Sequence, residues 1–226
     1  NRLAFQTAYT WSHTISNVPT QSYISQTTDV FNYDLDRGDA DLDRRHSLVL
    51  NAVYALPSFD RWGWFGNHVL GGWQLNGIAS FYSGTPLNIF SGQDTAGLGG
   101  AGSQRPNRVP GVDLYVDGDD PLQIINPLAF SRPAQGTIGS LGRGSVRGPG
   151  IRNVDFSLAK NWQLQERLNL QFRAEMFNVF NFVNFRAHNL SVAGGGIENN
   201  FSNAGFGRAT STRGPREIQF GLKLNF

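Results

Sequence analysis

Cysteine is absent from this 226-residue chain, and methionine occurs once. Without cysteine there is neither a disulfide framework nor a thiolate metal site. Charge is also sparse: Asp, Glu, Lys and Arg make up 16% of residues, against about a quarter in an ordinary soluble protein. The formal net charge of +2 is too small to point to nucleic acid, and no nucleic-acid partner is expected. No apolar run approaches the roughly 18 residues of a membrane-spanning helix. That excludes helical spanning but not spanning by strands. A barrel strand needs only about ten residues and alternates its faces, so its mean hydropathy is unremarkable. No basic-plus-apolar leader opens the chain, which starts at Asn1, so a processing point or an origin inside a longer polypeptide is expected.

What is present is aromatic and glycine-rich: 17 Phe, 5 Trp and 27 Gly. Apolar residues recur with period two in about six segments, at 3–13, 46–56, 72–83, 153–160, 167–178 and 217–226. Successive side chains of a strand point to opposite faces, so each segment reads as a strand with one apolar and one polar side. In the last, Ile218, Phe220, Leu222, Leu224 and Phe226 alternate with Glu217, Gln219, Gly221, Lys223 and Asn225. In the first, Leu3, Phe5, Thr7, Tyr9 and Trp11 share a face. Helical periodicity would wrap these apolar residues all round a helix. The expected inward-facing charges are Arg173, Glu175, Glu217 and Lys223, because charges toward lipid are costly.

Long and short connections alternate along the chain: 15–45 is long, 57–71 short, 84–152 very long, 161–166 short and 179–216 long. Outer-membrane barrels have long loops on the extracellular side and short turns on the periplasmic side. Placing Phe226 at the periplasmic edge puts all three long connections outside. The expected fold is all-β: an antiparallel up-and-down transmembrane β-barrel segment, about six strands of a larger barrel, with long extracellular loops. Trp11, Trp62, Trp64, Trp73 and Trp162, with Phe226, fall near strand ends and are candidates for the aromatic girdles at the two membrane interfaces.

The terminal alternation ending on an aromatic residue resembles the last strand of bacterial outer-membrane barrels. The resemblance implies that Ile218, Phe220, Leu222, Leu224 and Phe226 are an assembly signal read by the barrel-assembly machinery. A wider resemblance is carried by blocks in a fixed order. They begin with Asp41-Leu-Asp-Arg-Arg-His46 running into Ser47 to Pro57, Gly72-Trp-Gln-Leu-Asn-Gly77 and Ser83-Gly-Thr-Pro86. Arg105-Pro-Asn107, Gly142-Arg-Gly-Ser-Val-Arg-Gly-Pro-Gly150 and Asn153-Val-Asp-Phe-Ser-Leu158 follow. The last are Phe172-Arg-Ala-Glu-Met-Phe-Asn-Val-Phe-Asn181 and the 206–216 block. Together they resemble the C-terminal part of a TonB-dependent receptor of the Oar-like group, whose members carry a carboxypeptidase-regulatory-like N-terminal domain. That implies a plugged barrel of about 22 strands and energised uptake of a bulky ligand. The family's plug and TonB box are expected to precede residue 1. Outer-membrane lipid, the rest of the receptor, TonB acting indirectly and an unknown extracellular ligand are the implied partners.

Bland readings prevail for the remaining motifs. Asp29, Asp34, Asp36, Asp39, Asp41 and Asp43 crowd one loop. Asp34, Asp36 and Asp39 are the nearest approach to a calcium loop. The glycine is displaced, however, and Arg37, Arg44 and Arg45 stand by, so a solvated or salt-bridged loop is expected and no metal. Asp117, Asp119 and Asp120 read as a turn. Of His13, His46, His68 and His188, the first two fall near the outer ends of neighbouring strands, where they could approach each other, and a strand-end hydrogen-bonding role is expected rather than zinc ligation. The glycine runs at 97–102 and 194–196 lack the Gly-Lys-Ser/Thr ending of a phosphate loop. No nucleophile elbow is present, so no enzyme and no cofactor are expected. The expected function is an outer-membrane transport receptor supplying barrel wall and ligand-contacting loops. The alternative is a structural or adhesive surface protein assembling through open strand edges.

Overall fold

A computed structural model describes residues 2–17, 27–57, 59–99, 104–187 and 196–226. His188 and most of the glycine runs at 100–102 and 194–195 lie outside the described residues. The centre of the fold is one six-stranded sheet. Its strands are β1 (Leu3–Trp11), β2 (His46–Ala55), β3 (Trp73–Tyr82), β4 (Ile151–Gln165), β5 (Leu168–Phe177) and β6 (Glu217–Asn225). Each pairs antiparallel with its neighbour in sequence, so the sheet is an up-and-down meander. It is open: among the described residues no strand lies along the outer edge of β1 or of β6.

The register sorts side chains as the alternation predicts. One cross-strand row reads Leu3, Tyr54, Leu75, Leu158, Ala174, Phe220. The next reads Phe5, Ala52, Gly77, Phe156, Met176, Ile218. These rows make an apolar face whose side chains are widely exposed, Phe5 at 77%, Phe220 at 73% and Leu222 at 70%. The opposite face carries rows such as Asn76, Ser157, Glu175, Gln219, tied by Asn76 Nδ2 donating to Ser157 Oγ at 2.9 Å and Gln219 donating to Glu175. Arg173, Glu175, Glu217 and Lys223 all fall on this polar face. Arg173 pairs with Glu175 on its own strand, at 3.5 Å.

The one sizeable boundary difference concerns β4. Its strand is expected at 153–160 and found at Ile151–Gln165, with only Glu166 and Arg167 left as the turn. Trp162 continues the apolar face opposite Leu170, while Asn161 and Gln163 continue the polar one opposite Gln171 and Asn169. A bulge between Gln163 and Gln165 ends the ladder.

The compact core lies outside the sheet. Leu87, Ile89, Ile125, Ala129, Phe130, Leu141, Val146, Ile197, Phe206 and Ala209 form a buried cluster, drawn entirely from connections 83–150 and 178–216. All three long connections leave the same end of the meander, where β1, β3 and β5 finish. There they fold on one another into a layer. Short ladders within it join Ile15–Ser16 to Gly38–Asp39, Pro86–Leu87 to Val146–Arg147 and Asn107–Arg108 to Phe130–Ser131. Bridges Phe90 to Asn200 and Gln123 to Arg208 tie the second connection to the third. Asn178 and Asn181 adopt positive φ (50° and 53°) where the chain leaves β5, a conformation that asparagine tolerates. The Asn178 side chain closes that turn by exchanging hydrogen bonds with Phe182.

Candidate functional site: an ionic clasp and two cavities in the loop layer

The acidic loop docks on the second connection through arginines. Asp36 and Arg105 form an ion pair at 2.8 Å, their side chains only 5% and 6% exposed. A buried pair is tolerable only when every remaining donor and acceptor is satisfied. Here Arg105 Nε donates to Leu141 O at 2.9 Å and Nη1 to Thr28 Oγ1 at 3.1 Å, while Nη2 bonds Leu35 O. Asp36 also accepts the Thr28 N–H at 2.7 Å. Burial alone would raise the Asp36 carboxyl, but the hydrogen bonds from Arg105 and Thr28 outweigh it and hold the group below the ordinary 3.8.

Beside this pair, Arg147 bonds both Asp39 and Asp43, and Arg45 reaches the same two carboxylates at 3.0 and 3.5 Å. Arg143 pairs with Asp41 at 3.3 Å. Asp39 and Asp43 are likewise depressed: burial works against them, and Arg147, with His13 for Asp39 and the Thr14 N–H for Asp43, overcomes it. Two glycines let the chains approach this closely. A Cβ on Gly38 would stand 2.2 Å from Arg143 O, and one on Gly144, at φ +63°, would stand 2.6 Å from Asp39 O.

The salt-bridged reading of the loop therefore holds, with a change of partners. Of the expected arginines only Arg45 takes part; Arg105, Arg143 and Arg147 come from 60 or more residues further on. Of the residues nearest a calcium pattern, Asp36 and Asp39 are engaged by arginine. Among the described residues no group of three or more His, Cys, Asp or Glu is placed to hold a metal. His13 and His46 take separate hydrogen-bond partners. His13 Nε2 lies 2.8 Å from Asp39 Oδ1, and His46 Nδ1 2.9 Å from the Tyr9 hydroxyl, whose ring stacks on it. Asp120 ties its turn to the third connection through Arg208 at 2.5 Å.

The opposite end of the sheet carries four of the five tryptophan candidates. Trp73 and Trp162 lie on the apolar face next to Lys160. Lys160 is 2% exposed, its ammonium 5.2 and 5.4 Å from the two indole rings. The helical turns of the 56–72 connection fold over this spot. Trp73 Nε1 donates to Val69 O and Trp162 Nε1 to His68 O, each at 2.7 Å, and Lys160 Nζ donates to Val69 O and Gly71 O. Carbonyls at a helix C-terminus lack internal partners and attract cations; three donors from the sheet satisfy them here. Trp62 and Trp64 on the same turns are 65% and 71% exposed, and Trp11, 60% exposed, stands at the long-loop end.

Among the cavities bounded by described residues, two adjoining ones lie where the loop layer meets the polar face of the sheet. One, of about 320 Å³, is bounded by Asp41, Arg44, Thr85, Phe185, Arg186 and Arg213, among others. The other, of about 540 Å³, opens over the polar face and includes Ser80, Tyr82, Asn153, Asp155 and Glu217. Arg44, Ile151 and Arg213 belong to both and form the partition. The periodicity signalled neither the folded loop layer nor these cavities. The available hint was the scatter of Leu, Ile and Phe through connections otherwise rich in glycine and proline.

An antiparallel meander with one exposed apolar face, one hydrogen-bonded polar face and long connections gathered at one end is the architecture of an outer-membrane barrel wall. The chain matches the family described as outer membrane beta barrel domain over residues 1–219 and belongs to it. It is a bacterial outer-membrane protein. No curated protein and no solved structure matches the chain.

Proposed function

We propose that this protein supplies wall and ligand-contacting loops to an outer-membrane transport receptor of the TonB-dependent kind. The observation that carries this reading is the loop layer. Three long connections fold into one body with its own core and ionic clasp, set over the polar face with a cavity between them. A wall whose loops only spanned a pore rim would not need a buried core there. The apolar face then contacts lipid, the polar face lines the lumen and the loop layer lies outside the cell. Trp11 belongs to the outer girdle, and Trp62, Trp64, Trp73 and Trp162 to the inner one. Indoles suit such positions because one end is apolar and the other polar. Ile218, Phe220, Leu222, Leu224 and Phe226 combine lipid contact with the assembly signal. In a membrane the outer edges of β1 and β6 need partner strands, whichever chain supplies them.

Orientation and role are tested together in the native host. The chain has no cysteine, so single cysteines at Ser202 in the loop layer and Asn67 in the helical turn can be labelled with a membrane-impermeant maleimide on intact cells. Labelling at 202 and protection at 67 are expected. In parallel, cells with and without the gene are compared for depletion of compounds from a complex medium, with TonB present and absent. Reversed labelling, or no compound whose uptake needs both the gene and TonB, sinks the reading.

The exposed edges of β1 and β6 favour a second reading, a surface protein assembling through strand pairing between copies. Native mass spectrometry separates the two, since that reading requires a homo-oligomer.

A further inference from the structure

Three arginines bound the smaller cavity, and among the described residues none of them is ion-paired with a carboxylate. Arg44, Arg186 and Arg213 bound a space of about 320 Å³, with Thr85 supplying a hydroxyl. Among the described residues the only acid on its wall is Asp41, already bonded to Arg143 at 3.3 Å and to Asn88 Nδ2 at 3.0 Å. Arg44 is half-buried, held by the Ser83 carbonyl at 3.3 Å and lying over the Tyr82 ring at 5.3 Å. Arg186 uses its Nε on Thr212 O at 3.1 Å. None of the three arginines forms an ion pair among the described residues.

In the neighbouring clasp, by contrast, arginines are matched to aspartates, four against four. Arg44 is half-buried while Arg186 and Arg213 are exposed, so the three cations stand at a cavity open to solvent, and like charges gathered there repel one another unless an anion joins them. Burial, and to a smaller extent the nearby charge of Arg213, push the Arg44 guanidinium below its ordinary value. The adjoining cavity differs: it shares Arg44 and Arg213 but adds Asp155 and Glu217.

We propose that the cavity between Arg44, Arg186 and Arg213 binds a small oxyanion, a carboxylate or phosphate group, presented from the side of the loop layer. Guanidinium forks match both groups in two-point geometry. The volume lies at the low end for small-molecule sites, so it takes a compact anion or the anionic end of a larger ligand. Because Arg44 and Arg213 also stand on the partition to the polar-face cavity, an anion held there sits at the entrance to the space beneath. Its role as a receptor's ligand contact rests on the function proposed above; the binding itself does not.

The test is isothermal titration calorimetry on the full chain refolded in detergent micelles, with sodium succinate in one arm and sodium phosphate in the other, at constant ionic strength. Saturable one-to-one binding of at least one anion is expected, and the arm that saturates identifies the group. Arg213→Gln removes a guanidinium that makes no side-chain hydrogen bond to the fold among the described residues and should weaken binding about tenfold or more. Arg132→Gln, an exposed arginine away from the cavity, should leave it unchanged. The proposal is overturned by saturation with neither anion, by wild-type affinity in Arg213→Gln, or by an equal loss in Arg132→Gln. Because the titration reads binding alone, such a failure leaves the transport reading untouched.

Discussion

Arg105 shows how one side chain can hold two distant segments together. Its guanidinium is committed to Asp36, Thr28, Leu35 and Leu141, and none of these partners can turn to water without opening the layer. Replacing it with alanine leaves a buried carboxylate unpaired, which costs about 3–5 kcal/mol. Arg105→Ala is therefore expected to abolish amide protection in residues 27–45 while sparing the sheet, as read by hydrogen exchange. Unchanged protection in that segment would mean the pair is not what docks the loop. Replacing Asp36 and Arg105 together by apolar residues should restore much of the loss, because a buried ion pair chiefly penalises the loss of one partner. None of this was visible in the local sequence: Asp36 and Arg105 are 69 positions apart, and neither neighbourhood says which partner the other will find.

At the scale of the element, β6 offers a graded test of what the apolar face meets. Phe220 lies at the middle of the strand, and Leu224 lies in the row of Trp162 and Leu170. Arginine on a lipid-facing barrel position costs about 2–4 kcal/mol at the midplane and about 0–1 near an interface. Phe220→Arg should thus destabilise the membrane-inserted protein by about 2–4 kcal/mol and Leu224→Arg by about 1 or less, with Leu222→Arg between them, in denaturant titrations from lipid vesicles. Equal effects along the strand would place this face outside lipid. The strands were the legible part of the chain. Alternation locates five of them to within one or two residues because sheet faces impose period two directly on sequence. β4 extends further than expected, since Asn161, Gln163 and Gln165 look like a turn in isolation and become strand only opposite β5. The loop layer was illegible for the opposite reason. Leu87, Ile125, Val146 and Ile197 have no common period, and only their meeting in space makes a core.

The whole molecule divides into a sheet held by ladders and a loop layer held partly by carboxylates. Asp36, Asp39 and Asp43 all sit below the ordinary 3.8. A depressed carboxyl contributes stability that is fully present above its unfolded value and is lost as pH falls through the folded one. The clasp should accordingly be intact at neutral pH and loosen below about 4, before the sheet responds. All five tryptophans lie on the sheet or its helical turns, at positions 11, 62, 64, 73 and 162. Acid titration is expected to remove amide protection from the loop layer while tryptophan emission stays constant. Simultaneous change of both signals would show a single cooperative unit.

The two cations on the apolar side of β4 set a dimension. Arg152 lies over the Phe182 ring at one end, and Lys160 lies between Trp73 and Trp162 at the other, with Val154, Phe156 and Leu158 between them on the same face. Eight residues at about 3.3 Å each span roughly 26 Å along the strand, or roughly 20 Å across a membrane at about 40° of tilt. Lys160 is buried between two indoles while Arg152 is exposed against one ring, so each charge suits a headgroup boundary rather than the hydrocarbon. Strand β4 thus works as a ruler. On the proposed reading, in which the apolar face meets lipid, it would match a hydrocarbon layer short of the roughly 30 Å average, in keeping with the thinner bacterial outer membrane, and a thicker bilayer would have to thin around the protein.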